Sequence, residues 1–181
     1  ILKNVVVDTQ YNNLGQTVKK TTPYVLTGNP SPTFAAQTFS QTYTATTYDV
    51  IGRIITITAP NQTIVNYGYT DLTTTVTDPK QNQSVTTADI WGHTKLVVPP
   101  TGPSIEYTYN VLNQLTDVLR AGNQTHIEYD VLGRKISMDD PDMGHWTYSY
   151  DALGNLVSQS DAKNQLTCLY YDALNRLNGK I

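Results

Sequence analysis

The sequence predicts an all-β protein built of antiparallel β-hairpin repeats that form one long, twisted, curling sheet. Three observations predict it. A phrase opening on Tyr-Asp recurs, with its tyrosines at 129, 150 and 171, an interval of 21 residues. A second set of turn residues, Asn-Gln or Gly, falls between successive phrases. The segments entering the tyrosines alternate apolar and polar side chains, the period of a half-buried strand. A fixed interval of this size marks repeats that stack on one another, and it shifts the expected function from a single active site towards a wall or surface made by repetition.

The elements follow in chain order. Tyr11-Asn12-Asn13-Leu14-Gly15 is a first, loose copy, and Gly28-Asn29-Pro30-Ser31-Pro32 reads as a longer loop. The 181 residues are therefore taken as one repeat array, with 1–39 as irregular first repeats containing a Pro-rich loop and 40–181 as regular ones. Tyr48-Asp49-Val50-Ile51-Gly52-Arg53 is the first full copy. Tyr69-Thr70-Asp71-Leu72 keeps the tyrosine and the apolar residue but loses the glycine, whereas Ala88-Asp89-Ile90-Trp91-Gly92 loses the tyrosine. Full copies return at Tyr129-Asp130-Val131-Leu132-Gly133-Arg134, at Tyr150-Asp151-Ala152-Leu153-Gly154-Asn155 and at Tyr171-Asp172-Ala173-Leu174-Asn175-Arg176.

Asp suits the first position of a type I turn, and Gly or Asn takes the positive φ that closes such a turn into a hairpin. Gly133 is thus expected to tolerate asparagine and to resist valine. The large apolar residue before it (Leu132, Leu153, Leu174) is expected to fold back under the turn as an anchor. The intervening turns are expected at Asn61-Gln62, Asn82-Gln83, Asn123-Gln124 and Asn164-Gln165, and at Gly102 and Gly144. Strands of about five to seven residues join them. Ile105, Tyr107 and Tyr109 predict one apolar face, as do Trp146, Tyr148 and Tyr150, with Leu156, Ile136 and Leu177 filling the rows between tyrosines.

Composition agrees. The apolar fraction is 39% and the charged fraction only 15%, with 13 tyrosines, which suits pleated surfaces better than disorder. A net charge of −3 without a basic block gives no reason to expect nucleic-acid binding. No apolar run is long enough to span a bilayer as a helix. The chain opens at Ile1 without a signal-peptide pattern and stops just after a fresh copy of the phrase, which is read as a fragment of a longer array.

The phrase resembles the YD repeat of the rearrangement-hotspot (Rhs) family. Residues 48–53, 129–134 and 150–154 match the Tyr-Asp-x-x-Gly-Arg opening, and Met138 to Asp151 matches its Tyr-x-Tyr-Asp return. The resemblance implies a segment of a hollow β-shell, as in bacterial Rhs effectors, the cocoon components of toxin complexes and teneurin shells. It implies a non-catalytic, secreted or cell-surface role, enclosing or presenting a C-terminal toxin domain of the parent protein. The partners it implies are the neighbouring repeats and that cargo. The aspartate-bearing self-cleavage core of the bacterial members is not found here, so autoproteolysis is not carried over. The alternative reading is a cell-surface module that binds carbohydrate or protein through a repeated aromatic face, with Trp91 and Trp146 among its candidates.

No catalytic, cofactor-binding or metal-binding residues are assigned, and no cofactor is expected. His93, His126 and His145 follow no ligand spacing and fall at different repeat positions. Cys168 has no positioned base nearby in sequence. Asp139, Asp140 and Asp142 read as a turn cluster rather than a calcium loop. Arg53, Arg134 and Arg176 read as partners of a neighbouring Asp or carbonyl across repeats. The formal glycosylation sequons at Asn61, Asn82 and Asn123 read as by-products of turns that favour Asn.

Overall fold

The structure, a computed structural model, describes residues 3–27 and 42–181. The Gly28–Pro32 loop lies outside the described residues. The chain divides into two compact units, Ile1–Val85 and Thr86–Ile181. Among the described residues there is no helix, and so none that could cross a membrane.

In the first unit, β1 (Lys3–Val6) pairs with β4 (Tyr24–Thr27) as a two-stranded antiparallel ribbon. The remaining strands are β2 (Thr9–Tyr11), β3 (Thr17–Thr21), β5 (Tyr43–Tyr48), β6 (Ile54–Thr58), β7 (Ile64–Thr70) and β8 (Thr73–Thr77). Strand β9 (Gln83–Ala88) carries the chain across the boundary. The second unit holds β10 (Thr94–Val98), β11 (Ile105–Tyr109), β12 (Leu115–Arg120), β13 (Asn123–Tyr129) and β14 (Lys135–Asp140). It continues through β15 (Gly144–Tyr150), β16 (Leu156–Ser160), β17 (Leu166–Tyr171) and β18 (Leu177–Lys180). All strands but β1 and β4 belong to one sheet, hydrogen-bonded in the order in which the chain meets them. Thr, Val, Ile and Tyr dominate these segments because branched and aromatic side chains fit a pleated surface.

Alternation is clear in β11 and β15, where Ile105, Tyr107 and Tyr109, and Trp146, Tyr148 and Tyr150, are the better-covered residues. Register places Ile127, Met138 and Trp146 in one row across β13, β14 and β15. The opposite face of the same strands carries Glu128, Ser137 and Thr147. Met138 is the one apolar side chain among the described residues that counts as buried, at 9% exposure. The sheet therefore has no packed interior, and its stability comes from ladder hydrogen bonds and cross-strand side-chain pairs.

A bulge precedes each Tyr-Asp turn, as at Glu128/Tyr129 and Ser149/Tyr150. Its effect accumulates. His126 faces Asp139, which faces His145, so residues 19 apart share a row although the tyrosines of those strands are 21 apart. The same offset appears between Thr46, Ile57 and Val65 in the first unit. Two residues per pair of strands amounts to about 6.6 Å along for about 9.6 Å across, inclining the line of turns by about 35° to the perpendicular of the strands. Strand tilt of this order is what lets a sheet coil.

Several expectations need correction. Asn123 and Gln124 do not form a turn; they open β13, paired with Arg120 and Leu119, and the reversal is the two-residue Ala121-Gly122 with both φ positive. The left-handed residue expected at Asn82-Gln83 is Gln81, within a turn closed between Asp78 and Asn82. Leu156 and Leu177 do face Tyr150 and Tyr171, but Lys135 rather than Ile136 faces Tyr129, because the residue opposite each tyrosine is the sixth after it and Ile136 is the seventh.

Candidate functional site

Chemistry in this chain is concentrated along the rim formed by the Tyr-Asp turns. Asp130 illustrates the design. Its N–H donates to the Arg134 carbonyl at 2.9 Å, and its carbonyl accepts the Gly133 N–H at 2.9 Å. Its Oδ1 accepts the N–H groups of Leu132 and Arg134, each at 2.9 Å, while Oδ2 accepts Nε of Arg134 at 2.7 Å. One carboxylate thus satisfies two backbone donors and a guanidinium. Asp49, Asp151 and Asp172 repeat the arrangement with Arg53, Asn155 and Arg176.

The two ends of this turn match in polarity. Where the first residue is Asp, the residue four later is a donor: Arg53, His93, Arg134, Asn155 or Arg176. Where it is Asn, at 12 and 110, the partner is Gln, and the direction reverses, with Asn Nδ2 donating to Gln Oε1. The partner also reaches the next turn. Gln16 donates to the Gly52 carbonyl, Gln114 to that of Gly133 and Arg134 to that of Asp151. Arg53, Arg134 and Arg176 each pair with the Asp of their own turn rather than with one across repeats, and Arg134 also bonds a carbonyl of the following repeat.

The tyrosine is the clasp of the turn. Tyr48, Tyr69, Tyr109, Tyr129, Tyr150 and Tyr171 each donate a phenol O–H to the carbonyl of the first residue of the strand that precedes theirs in the sheet, at 2.7–3.1 Å. The guanidinium of Arg134 lies over the Tyr150 ring at 4.8 Å. The expected leucine anchor is overturned. Leu132, Leu153 and Leu174 are each 73% exposed. They occupy the outer middle of the turn, where the side chain points off the rim and no second layer lies beneath it.

The acid dependence follows from the caps. Hydrogen bonds from the Arg134 backbone and guanidinium hold Asp130 below the usual carboxylate range. The side chain and then the backbone of Arg176 do the same for Asp172. A folded-state pKa lowered in this way contributes stability above the unfolded value, lost as pH falls through the folded one. Acid unfolding is therefore expected to steepen below about pH 4. Copying the Asn110–Gln114 pair into two turns (Asp130→Asn with Arg134→Gln, Asp172→Asn with Arg176→Gln) should move the acid midpoint to lower pH, as followed by circular dichroism. An unchanged midpoint would show that these caps do not set the acid limit.

The histidines do not converge on a metal site, but two of them share a line. Asp117, His126, Asp139 and His145 stand opposite one another across β12 to β15. His126 Nδ1 is 2.7 Å from Asp117, and His145 Nδ1 is 2.8 Å from Asp139. The hydrogen bond to Asp117 raises His126, with further help from the charges of Asp117, Glu128 and Asp139. Comparison of repeat positions places these histidines apart, and the two-residue offset brings them into one row. His93 instead caps its own turn through Asp89 and stacks on Tyr109 at 4.7 Å. Asp140 caps the Asp142 and Met143 N–H groups and accepts from Thr125, as a turn residue does. Cys168 is a half-buried free thiol in β17. Among the described residues no group of three His, Cys, Asp or Glu side chains is placed to hold a metal ion. Trp91 is exposed and borders an open groove of about 460 Å³ with Asp89, Tyr109, Asn110, Val111 and Asn113.

No family model matches the chain, and no curated protein does. Solved structures do. The crystal structure of TcdB2-TccC3-TEV is similar with a TM-score of 0.77 at 17% identity, over 95% of this chain and 10% of that one. The crystal structure of TcdB2-TccC3-Cdc42 gives 0.76 at 16% identity, again over 95% and 10%. The Photorhabdus luminescens Tc holotoxin pore gives 0.75 at 16% identity with the same coverage. The chain thus spans about a tenth of the length of the chains it resembles. At this level of identity the likeness concerns the fold alone, which this chain shares with a stretch of the TcdB2-TccC3 and Tc holotoxin structures.

Proposed function

We propose that this chain is a non-catalytic wall segment of a larger secreted or cell-surface β-shell, which encloses or presents a toxin-like cargo domain of its parent protein. The observation that carries the reading is the use of the polar groups. Asp, Arg, Asn and Gln at the rim are spent on closing turns and on joining each turn to the next. Chemistry distributed identically over every repeat builds a surface rather than an active centre. The shared fold supports the same reading. The test is limited proteolysis of the parent protein. The cargo domain should resist digestion inside the intact parent and be cut quickly once released; equal rates in the two states would overturn the proposal.

A second reading is favoured at one place. The Trp91 groove combines an exposed indole, a phenol ring and side-chain amides, the groups that stack on and hydrogen-bond a sugar ring. Saturable binding on a glycan array that disappears in Trp91→Ala would support it, and an array without saturable binding would count against it.

A further inference from the structure

The two rims of the second unit differ in chemistry. On the Tyr-Asp rim, the middle of each turn presents large apolar side chains to solvent: Val111 and Val131 are 98% and 96% exposed, with Leu112, Leu132, Leu153 and Leu174 beside them. Turn geometry does not require this. The type I turn needs its Asp and its left-handed Gly or Asn, and its central positions accept most residues. The opposite rim reverses by more varied turns, which carry Gly102, Ala121, Gly122, Asp142, Lys163 and Asn164, with Met143 the one large aliphatic side chain within them among the described residues and Leu166 exposed at the start of β17. On this apolar Tyr-Asp rim Asp130 and Asp172 are neutralised within their own turns by Arg134 and Arg176, whereas Asp151 is capped by the neutral Asn155.

We propose that the Tyr-Asp rim of the second unit is an interaction surface whose occupant is the same rim of another hairpin array, here a second copy of this chain. Two arguments select that occupant. The apolar tips repeat every second strand, about 9.6 Å across the sheet and about 11.7 Å along the inclined line of turns. A partner that covers all of them must present apolar groups at the same interval, and an identical rim shifted by half a period does so, each tip entering the gap between two others. The area is sufficient for a weak dimer. Six side chains at about 60–120 Å² each amount to about 400–700 Å² per partner, at the lower end of specific interfaces. The inference rests on the rim alone and does not depend on the enclosing role proposed above.

Sedimentation velocity of the 181-residue chain over a concentration series tests it. The chain should be a concentration-dependent dimer. Leu132→Asp with Leu153→Asp should weaken association by at least about tenfold, because burying each charge costs well over 1.4 kcal/mol. Leu132→Ser with Leu153→Ser should act in the same direction without introducing charge. Circular dichroism should show both pairs folded, since the altered side chains project into solvent. Met143→Asp on the opposite rim and Asn178→Pro in the edge strand β18 should leave the dimer intact. A monomer up to about 1 mM would overturn the proposal. So would a dimer abolished by Asn178→Pro but untouched by the rim variants, which would assign association to the open sheet edge.

Discussion

Replacing Gly154 by valine is expected to lower the thermal midpoint by about 5–10 °C, whereas asparagine at the same position should cost no more than about 3 °C. The site isolates backbone conformation from packing. Gly154 has φ of 89°, and a Cβ built there meets nothing within 4 Å. Left-handed backbone costs an ordinary L-residue about 1–2 kcal/mol, and a β-branched one about 2–3 kcal/mol. Asparagine is spared much of this, and the chain itself places Asn113 and Asn175 in the equivalent slot, with φ of 64° and 59°. In a chain of this length each kcal/mol moves the midpoint by about 2–4 °C. Gly133 makes an informative comparison. An added Cβ there would lie 2.9 Å from Nε2 of Gln114, the group that bridges to the Gly133 carbonyl. Gly133→Asn should therefore be worse than Gly154→Asn, and the excess reports the bridge between turns. Equal midpoints for valine and asparagine at 154 would refute the left-handed requirement.

The turns were legible in the sequence because their demands are local. Asp, Gly and Asn are selected by the φ and the hydrogen bonds of a five-residue loop, and nothing distant changes that choice. The same locality explains the misses. Asn123-Gln124 lies in phase with Asn164-Gln165, yet Ala121-Gly122 takes the turn because a two-residue reversal needs two consecutive positive φ values. The leucine was misplaced for a different reason. An apolar residue in a turn suggests burial, but burial needs a second layer, and a single-layer sheet has none to offer. Tyr150 supplies the anchor instead, through an O–H bond to the carbonyl of Lys135 that no sequence period announces.

Two further features were present in the letters but readable only with the register. The exchange of Asp-Arg for Asn-Gln at 12/16 and 110/114 is a compensated change within one chain, and it becomes meaningful once both ends are seen to bond each other. The histidine row across β13 to β15 depends on the accumulated bulges, which displace equivalent residues by two positions at each hairpin. An alignment of repeats by their tyrosines hides that displacement by construction. The inclination of the line of turns has the same origin, so the Gly or Asn of the turn fixes not only where the chain reverses but how far each hairpin slides past the last.

Truncating Tyr150 to alanine is expected to destabilise the second unit by about 2–4 kcal/mol, while truncating Leu153, three residues on, should stay within about 0.5 kcal/mol of the parent. By side-chain type the two losses look comparable; what separates them is placement. Tyr150 faces Leu156 across the ladder, lies under the Arg134 guanidinium and donates to Lys135 at 2.8 Å. Its removal exposes part of the neighbouring strand and leaves a carbonyl without its donor. Leu153 is 73% exposed and has little packing to lose. Tyr150→Phe separates the contributions, since it keeps the ring and deletes the O–H, and should cost about 1 kcal/mol. Urea unfolding of the three variants gives the ordering directly. If Leu153→Ala proved as costly as Tyr150→Ala, the leucine would have to fold beneath its turn after all. The apolar rim would then be a buried anchor row, and the association proposed for it would lose its surface.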